Sequence, residues 1–381
     1  MTNDKSQKKP PLKVLIILPD LGAGGAQVMN IRLAEQLALR GWDVRVVILF
    51  KRPITISKSR LQPINLQYLG ANSFASKVAL IPQLARHARA ADVVIAGMEL
   101  AATNYGFIVT QLTRKPLLSW THIAFDNYMH AQSAIDRWIS FAIYRKLKHI
   151  VFPSAGAKTS LENALKSQPP NANWHVIYNF MDSFPSTSCQ RFLNCERAFS
   201  RPAILIIARL TEQKAIHRII LAHKHLLLKR IDHHLIIFGD GPLRCKLKDQ
   251  VMSLGVNNTV FMPGHIVDAH AWISHASVFA LCSDYEGFSL VILEALQYGT
   301  PVVSMDCPAG PGEILNDGEF GILTPAGDQD KFEEGLQKIL TDNEVREYYA
   351  KKGSERASYF SADHIVSRWE KLLRSTIDLT Q

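Results

Sequence analysis

The sequence predicts an α/β protein of two doubly wound domains, each a parallel sheet wrapped by crossover helices. Three observations carry that expectation. Apolar runs of strand length alternate with segments of helical period, and the whole series occurs twice. The chain has 381 residues, too many for one ordinary core and enough for two. A glycine-rich turn follows the first apolar run and opens a helical pattern, as in sheets that bind ligands beyond their strand ends.

The first series occupies residues 1–182. Residues 13–18 read as a buried strand, 26–40 as the helix that follows it, and 43–50 as a second strand. Residues 77–90 have amphipathic helical period. Residues 92–96 form a strand that enters a buried helix, and 116–120 form the next strand. The segment 134–148 interleaves apolar and basic residues, and strands at 149–153 and 174–178 close the set. Residues 183–200, rich in Ser, Pro and Cys, read as a linker.

The second series spans 201–360. Strands are expected at 203–208, 234–239, 259–262, 276–281 and 301–304, with a helix over 216–229. The last segment, 361–381, carries Ile365, Trp369, Leu372 and Leu373 at helical spacing.

Composition narrows the function classes. An apolar fraction of 47% with 20% charged residues is that of a soluble globular protein. The longest apolar region, 93–109, is broken by Glu99 and Asn104 and falls short of the roughly 20 residues of a spanning helix. Five cysteines, Cys189, Cys195, Cys245, Cys282 and Cys307, make no C-x-x-C pair, and the basic, polar start does not read as an export signal. Reduced thiols and a cytoplasmic location are expected. A net charge of +9 calls for an anionic partner, either nucleic acid, phosphorylated small molecules or acidic headgroups. The denser basic groups, 77–89 and 137–148, carry no nucleic-acid motif, so nucleic acid is not expected.

Residues 283–323 concentrate the chemistry. Two carboxylates, Glu286 and Glu294, flank a Gly-Phe-Ser-Leu turn leading into an apolar helix. The backbone N–H groups of Phe288, Ser289 and Leu290 at that helix start make an anion site. Read as continuous helix, the carboxylates stand about 12 Å apart along the axis, too far to flank one glycosidic bond as a hydrolase pair does. They suit the two ends of one ligand with an anionic middle, the shape of a sugar nucleotide.

Other loops fall at strand ends. Gly24 and Gly25 lie in the glycine-rich turn, where backbone can approach a phosphate, although a simple tight turn also fits. A dinucleotide fingerprint fails there, because its third glycine would fall at Gln27 and Lys51-Arg52 stand where a ribose-binding acid belongs. Arg209 and Lys214 follow a buried strand and can hold a diphosphate, one as a fork and one as a point charge, while surface charge is the plainer reading of any lysine. Gly239 ends another strand, in a turn with Asp240 as a helix cap or in a ligand loop. His122 follows the strand 116–120, either as a structural histidine or as a ligand contact, with Asp126 the nearest carboxylate in sequence.

Asp328-Gln329-Asp330 has a metal-binding D-x-D form, but it opens a helical segment and fits an N-cap with an acidic first turn. The histidine pairs 223/225, 233/234 and 265/270 do not converge, and are expected at the surface or at strand ends. No metal is expected.

Taken in order, Glu286, Gly287, Phe288, Glu294, Ala295, Gly299, Pro301, Val302, Val303, Gly310, Pro311, Glu313, Ile314 and Leu315 resemble the signature of retaining glycosyltransferases of family 4. The resemblance is strong over 202–327 and looser over 13–182. It implies the GT-B architecture, two facing Rossmann-like domains around a cleft, with the final helix crossing back to the first domain. It implies that Arg209 and Lys214 hold the donor diphosphate in place of a metal, and that Glu286 orients sugar hydroxyls while Glu294 binds ribose. The amides of Phe288, Ser289 and Leu290 would face sugar or phosphate, Gly24 and Gly25 would face the donor phosphate and acceptor, Gly239 would lie near the nucleotide, and His122 would touch the transferred sugar. The nucleotide-sugar, by family habit a UDP-hexose or UDP-N-acetylhexosamine, would be a substrate, with no cofactor.

The wording of 306–313 resembles the subset that builds bacterial surface polysaccharides and lipid-linked oligosaccharides, except that Gly312 stands where many relatives have Arg. A glycan or lipid-linked acceptor is therefore expected. The helices 77–90 and 134–148, the latter with Trp138, Phe141, Tyr144, Arg145, Lys146 and Lys148, are compatible with peripheral contact on an anionic membrane, and equally with core-facing helices whose basic side is solvated. Two other classes share the architecture, a sugar-nucleotide epimerase and a non-catalytic nucleotide-sugar-binding protein. The epimerase needs acid and base carboxylates on other loops.

Overall fold

The computed structural model describes residues 10–22, 24–54, 61, 64–125, 133–182, 195–266 and 269–379. Seven strands form the first sheet: β1 (Lys13–Leu18), β2 (Asp43–Phe50), β3 (Asn65–Ala71), β4 (Val93–Ala96), β5 (Leu117–Trp120), β6 (His149–Phe152) and β7 (Asn173–Val176). Their order is β3-β2-β1-β4-β5-β6-β7, with every pair parallel. Six strands form the second: β8 (Ala203–Ile207), β9 (His234–Phe238), β10 (Val260–Gly264), β11 (Val278–Leu281), β12 (Val302–Asp306) and β13 (Ile322–Pro325). The order is β10-β9-β8-β11-β12-β13, again all parallel. Both sheets are doubly wound, with the chain reversing direction across the sheet between β1 and β4 and between β8 and β11.

Alternation builds the cores. On β1, Val14, Ile16 and Leu18 face one apolar cluster while Leu15 and Ile17 face another, so the strand is buried on both sides and reads as continuous hydrophobic sequence. The helix Gly25–Leu39 covers the first of these faces together with the C-terminal helix Ala362–Asp378, whose Ile365, Val366, Trp369, Leu373 and Ile377 join the same cluster. Trp369 meets Trp120 of β5 edge-on, with ring centroids 4.7 Å apart. The last helix thus packs on the first sheet. Its outer side is tied by Arg40 to Glu370 at 3.0 Å and by the Trp42 indole N–H donating to Glu370 at 2.8 Å.

Several expectations need correction. Strands β3 and β13 lie where the sequence suggested none, because both are sheet-edge strands and β3 buries only Ala71 while β13 buries only a threonine, Thr324. The helix Phe74–Ala90 starts before residue 77, with the Ser73 hydroxyl accepting from the Ser76 N–H as its cap. The helix after β4, Ala101–Thr113, buries one face only and exposes Ile108 and Leu112.

The expectation for the histidines holds for His233 and His234, which stand at the start of β9, and for exposed His265, and fails for His223, which lies inside the helix Ile216–Leu228 and meets His233. His223 and His233 are fully buried and hydrogen-bonded ring to ring at 2.8 Å, with His223 also 2.9 Å from the Thr259 hydroxyl. Burial, with the neighbouring imidazoles, pushes His223 down to about 3. Of the expected linker, residues 183–194 lie outside the described residues and the short helix Cys195–Ala198 ends it. Cys189 lies outside them too, and the four other cysteines are free thiols. Asp328 accepts from the Lys331 N–H at 3.0 Å, which is the N-cap its sequence context suggested.

Candidate active site

The predicted residues gather where each sheet's chain direction reverses, the position at which doubly wound sheets leave a crevice beyond their strand ends. In the second sheet, the loop after β8 carries Arg209 and Lys214, and the loop after β11 carries Glu286. Lys214 Nζ lies 2.5 Å from Glu286 Oε1, and the Ser283 hydroxyl donates to the same oxygen at 2.8 Å. Glu286 is buried, so this pairing supplies the counter-charge that a carboxylate needs away from water. Gln213 ties the two loops by donating to the Tyr285 carbonyl at 2.8 Å. Arg209 is exposed, and among the described residues no carboxylate pairs with it.

Gly239 supports the Arg209 loop. Its φ is +131°, and a Cβ there would sit 1.9 Å from the Ala208 carbonyl oxygen. Gly241 approaches the Leu210 carbonyl in the same way, and the Leu210 N–H donates to the Asp240 carbonyl. Only glycine lets the two strand ends come this close.

The turn after Glu286 departs from the sequence picture. The helix runs Leu290–Gln297, so residues 286–289 form an irregular turn and the two carboxylates are not joined by continuous helix. Glu294 lies four residues inside the helix, about 6 Å along the axis, rather than two turns from Glu286. Ser289 has φ 76° and ψ 76°, is 8% exposed, and its hydroxyl has no hydrogen-bond partner among the described residues. A buried hydroxyl without a partner costs free energy until a ligand oxygen supplies one. Phe288 is buried between Tyr178 and Phe360, with ring centroids 5.7 and 5.8 Å away.

The first sheet supplies the facing wall. His122 follows β5, and its Nε2 lies 3.0 Å from the Gly97 carbonyl and 3.2 Å from the Asn30 side-chain amide. Burial pushes the imidazole down to about 3, although the Gly97 carbonyl favours the protonated form. The ring is therefore neutral at pH 7. With Nε2–H donating to Gly97, Nδ1 is the acceptor.

Beneath this loop lies a residue that sequence reading missed as a functional candidate. Glu99 is 7% exposed and accepts a short hydrogen bond from the His122 backbone N–H. Burial pushes its carboxyl up to about 7, opposed by the amides of His122, Glu99 itself and Ile123. In the sequence Glu99 only interrupts an apolar run, and that interruption was its signal. Asp126, the expected partner of His122, lies outside the described residues.

The two walls touch. A Cβ at Gly287 would lie 2.0 Å from the His122 carbonyl oxygen, and one at Gly25 would lie 3.1 Å from Leu290 Cδ1. The Ser154 hydroxyl donates to the Gly287 carbonyl at 2.7 Å. Glu313 accepts from the backbone N–H groups of Ala155 and Gly156 at 2.8 and 2.9 Å, capping across the seam the helix Ala155–Leu165. Gly24 is the N-cap of the Gly25–Leu39 helix, one residue from the Leu290 contact. One seam therefore holds Gly24, Gly25, His122, Glu286 and the 287–290 turn, with Arg209 and Lys214 on the adjoining strand-end loop.

Comparison with known proteins agrees with this arrangement. Residues 23–183 match the model of Glycosyltransferase Family 4, and residues 197–356 match that of Glycosyl transferases group 1. A Campylobacter jejuni enzyme, N-acetylgalactosamine-N,N'-diacetylbacillosaminyl-diphospho-undecaprenol 4-alpha-N-acetylgalactosaminyltransferase, is 27% identical over 60% of this chain and 60% of its own length. The lipopolysaccharide core biosynthesis glycosyltransferase LpsE of Rhizobium meliloti is 32% identical over 46% of this chain and 50% of its own. Across four such relatives the match spans between 19% and 60% of their length. Among solved structures, Anabaena HepE in complex with UDP and glucose superposes with a TM-score of 0.80 at 20% identity, covering 96% of this chain and 100% of that one. Sucrose-phosphate synthase from Thermosynechococcus elongatus gives 0.78 at 19% identity, over 97% and 100%. These superpositions establish the fold, GT-B.

Proposed function

The chain belongs to the glycosyltransferases of family 4 and group 1, and we propose that it moves a sugar from a nucleotide-diphosphate donor, by preference a UDP-hexose or UDP-N-acetylhexosamine, to a glycan or lipid-linked acceptor with retention of anomeric configuration. The observation that carries this reading is the seam itself. Lys214 paired with Glu286, the Ser289 hydroxyl without a partner among the described residues and the neutral His122 ring lie along one seam, with Arg209 on the same strand-end loop as Lys214.

Each group has a task. As the sugar–phosphate bond breaks, negative charge grows on the diphosphate and positive charge on the anomeric carbon. Arg209, exposed and without a carboxylate partner among the described residues, can offer its fork to phosphate oxygens, and Lys214 adds a point charge while holding Glu286 in place. These two cations supply the charge that other transferases take from a metal, so transfer is expected in the presence of a chelator. The Ser289 hydroxyl and the turn's N–H groups donate to phosphate or sugar oxygens. Glu286 accepts from sugar hydroxyls. His122, neutral at working pH, accepts a sugar hydroxyl without placing a positive charge against the developing cation. Glu294 on the following helix faces the ribose end. Acceptor attack on the face from which the nucleotide departs gives retention.

The acceptor class rests on what the relatives' names state, a diphospho-undecaprenol-linked sugar for one and the lipopolysaccharide core for the other. Peripheral contact with an anionic membrane follows for an acceptor held there. The test is product analysis. The protein is incubated with EDTA, a panel of UDP-, GDP- and ADP-sugars, and undecaprenyl-diphosphate-linked acceptors. A transferred sugar with the donor's anomeric configuration supports the proposal. Inverted linkage refutes retention, and an epimerised donor without transfer refutes the transferase.

A further inference from the structure

His122 is fixed from three sides, and on one of them stands a carboxyl group to which the proposed chemistry gives no task. The ring Nε2 meets the Gly97 carbonyl at 3.0 Å and the Asn30 side-chain amide at 3.2 Å. The His122 carbonyl oxygen faces the donor turn, 2.0 Å from the place a Cβ on Gly287 would take. The main-chain N–H donates to Glu99 Oε1, and the Ile123 N–H donates to the same carboxyl. β4 and β5 run parallel with Ala96 beside Ser119, so residues 97–99 and 121–123 leave the sheet side by side. Glu99 joins the two exits.

The loop that carries Glu99 is itself held. Thr103 Oγ1 donates to the Met98 carbonyl at 2.9 Å and lies 2.8 Å from the Ser119 hydroxyl of β5. Leu100, the next residue, has φ 52° and ψ −108°, a backbone conformation that costs free energy in any residue with a Cβ and persists only where the surroundings impose it. Glu99 is buried, and its carboxyl meets main-chain amides rather than a counter-charge. When such a group changes charge, it changes the hydrogen bonds of its partners. Ionised, it accepts both amides in charge-assisted bonds; protonated, it accepts them more weakly.

We propose that Glu99 is a positioning residue of the transferase, whose carboxylate holds the His122 and Ile123 amides and thereby sets the His122 imidazole and carbonyl against the donor turn. The role rests on the transferase reading and adds to it the group that governs the working pH of the site. Burial raises this carboxyl to about 7, so the grip tightens as pH rises through that value. Ionisation costs overall stability because the group is buried, while the amides that oppose burial are the ones it tightens on.

The surrounding groups do not supply the same change. His122 is the only titratable residue of 121–125, and burial pushes it down to about 3, so it stays neutral. The helix Ala101–Thr113 and β5 contain no charged residue. Across the seam, Lys214 and Glu286 are bound to each other. On the helix Gly25–Leu39, Arg32 turns to Asp182 at 3.6 Å, and Glu35 lies more than a turn beyond Asn30. The C-terminal helix buries no charged side chain against this sheet.

The test measures kcat and donor KM over about pH 5.5–8.5 for the full chain unaltered and as Glu99→Gln, His122→Ala and the double variant. The unaltered protein is expected to show kcat rising about fivefold or more between roughly pH 6 and 8, as one ionisation near 7 dictates. In Glu99→Gln that step is absent, kcat stays near the low-pH level, and donor KM moves less than about twofold. In the His122→Ala background, Glu99→Gln changes kcat by less than about twofold, because the group acts through the histidine. A merely structural role would lower the rate at every pH and leave the step in place, and that result would overturn the proposal. So would additive losses in the double variant. The His122 backbone amide resonance, followed by NMR without substrate, is expected to shift with a midpoint near pH 7 in the unaltered protein and not in Glu99→Gln; an unshifted amide in both overturns the contact. Absence of transfer by the unaltered protein at every pH would be a failure of the transferase reading, distinct from a pH step that survives in Glu99→Gln.

Discussion

A methyl group at residue 287 would stand 2.0 Å from the His122 carbonyl oxygen, so the seam between the two sheets closes only over a glycine. Gly287→Ala therefore has to push the walls apart, and transfer is expected to fall by about 100-fold or more from misplacement alone, with little change in far-UV circular dichroism. Arg209 offers a cleaner test of charge. It is exposed and has no carboxylate partner among the described residues, so Arg209→Ala is expected to leave the unfolding temperature unchanged while lowering kcat/KM by about 100-fold. Lys214→Ala does both kinds of harm, because it leaves buried Glu286 without its cation.

Glu99 gives a pH signature. Its folded pKa is raised to about 7 against an unfolded value near 4.5. Between those values the folded state holds the proton that the unfolded state has lost, and this group's stabilisation is present below pH 4.5 and fades as pH rises to 7. Glu99→Gln removes that term. Denaturant unfolding across pH 5–6.5 is expected to show stability rising more steeply with pH in the variant than in the unaltered protein, by up to about 1.4 kcal/mol per pH unit. An identical slope would mean that the carboxyl titrates normally.

Among the elements, the C-terminal helix couples the chain's end to the active-site wall. Trp369 packs on Trp120, whose other neighbour, at 4.5 Å, is the His122 ring. Trp369→Ala is expected to destabilise the fold by about 3–5 kcal/mol, and calorimetry reads it directly. Strand and helix placement was legible in the sequence where a core left a strong mark, as the unbroken apolar run of β1, buried on both sides, or the helical period of the Trp369 helix. β3 and β13 were illegible because an edge strand that buries only Ala71, and one whose single buried residue is Thr324, carry almost no apolar pattern. The same contrast holds at the site. Glu286, Arg209 and Lys214 announce themselves by type and spacing, and the structure brings Glu286 and Lys214 together. The hydroxyl of Ser154 and the carboxyl of Glu313 act across the seam on residues more than 130 positions away in the chain, and Glu99 does its work on a backbone amide. No local pattern encodes such partners.

At the scale of the whole molecule, two similar sheets present their reversal points to one another, and each contributes half a site. The second brings the groups that answer a nucleotide's phosphates. The first brings a neutral histidine and a glycine turn. The capping of the Ala155–Leu165 helix by Glu313 makes the contact between them part of the fold as well as of the site. The measurement that bears most directly on the claim is thermal unfolding of the unaltered protein and of Arg209→Ala, with UDP and a chelator present. A ligand bound only by the folded state adds roughly 2.7 kcal/mol at a hundredfold excess over its Kd. Stabilisation by UDP in the unaltered protein, lost in Arg209→Ala, is the predicted result. Equal stabilisation of both proteins, or none by UDP, GDP or ADP, would contradict a donor diphosphate held at this seam.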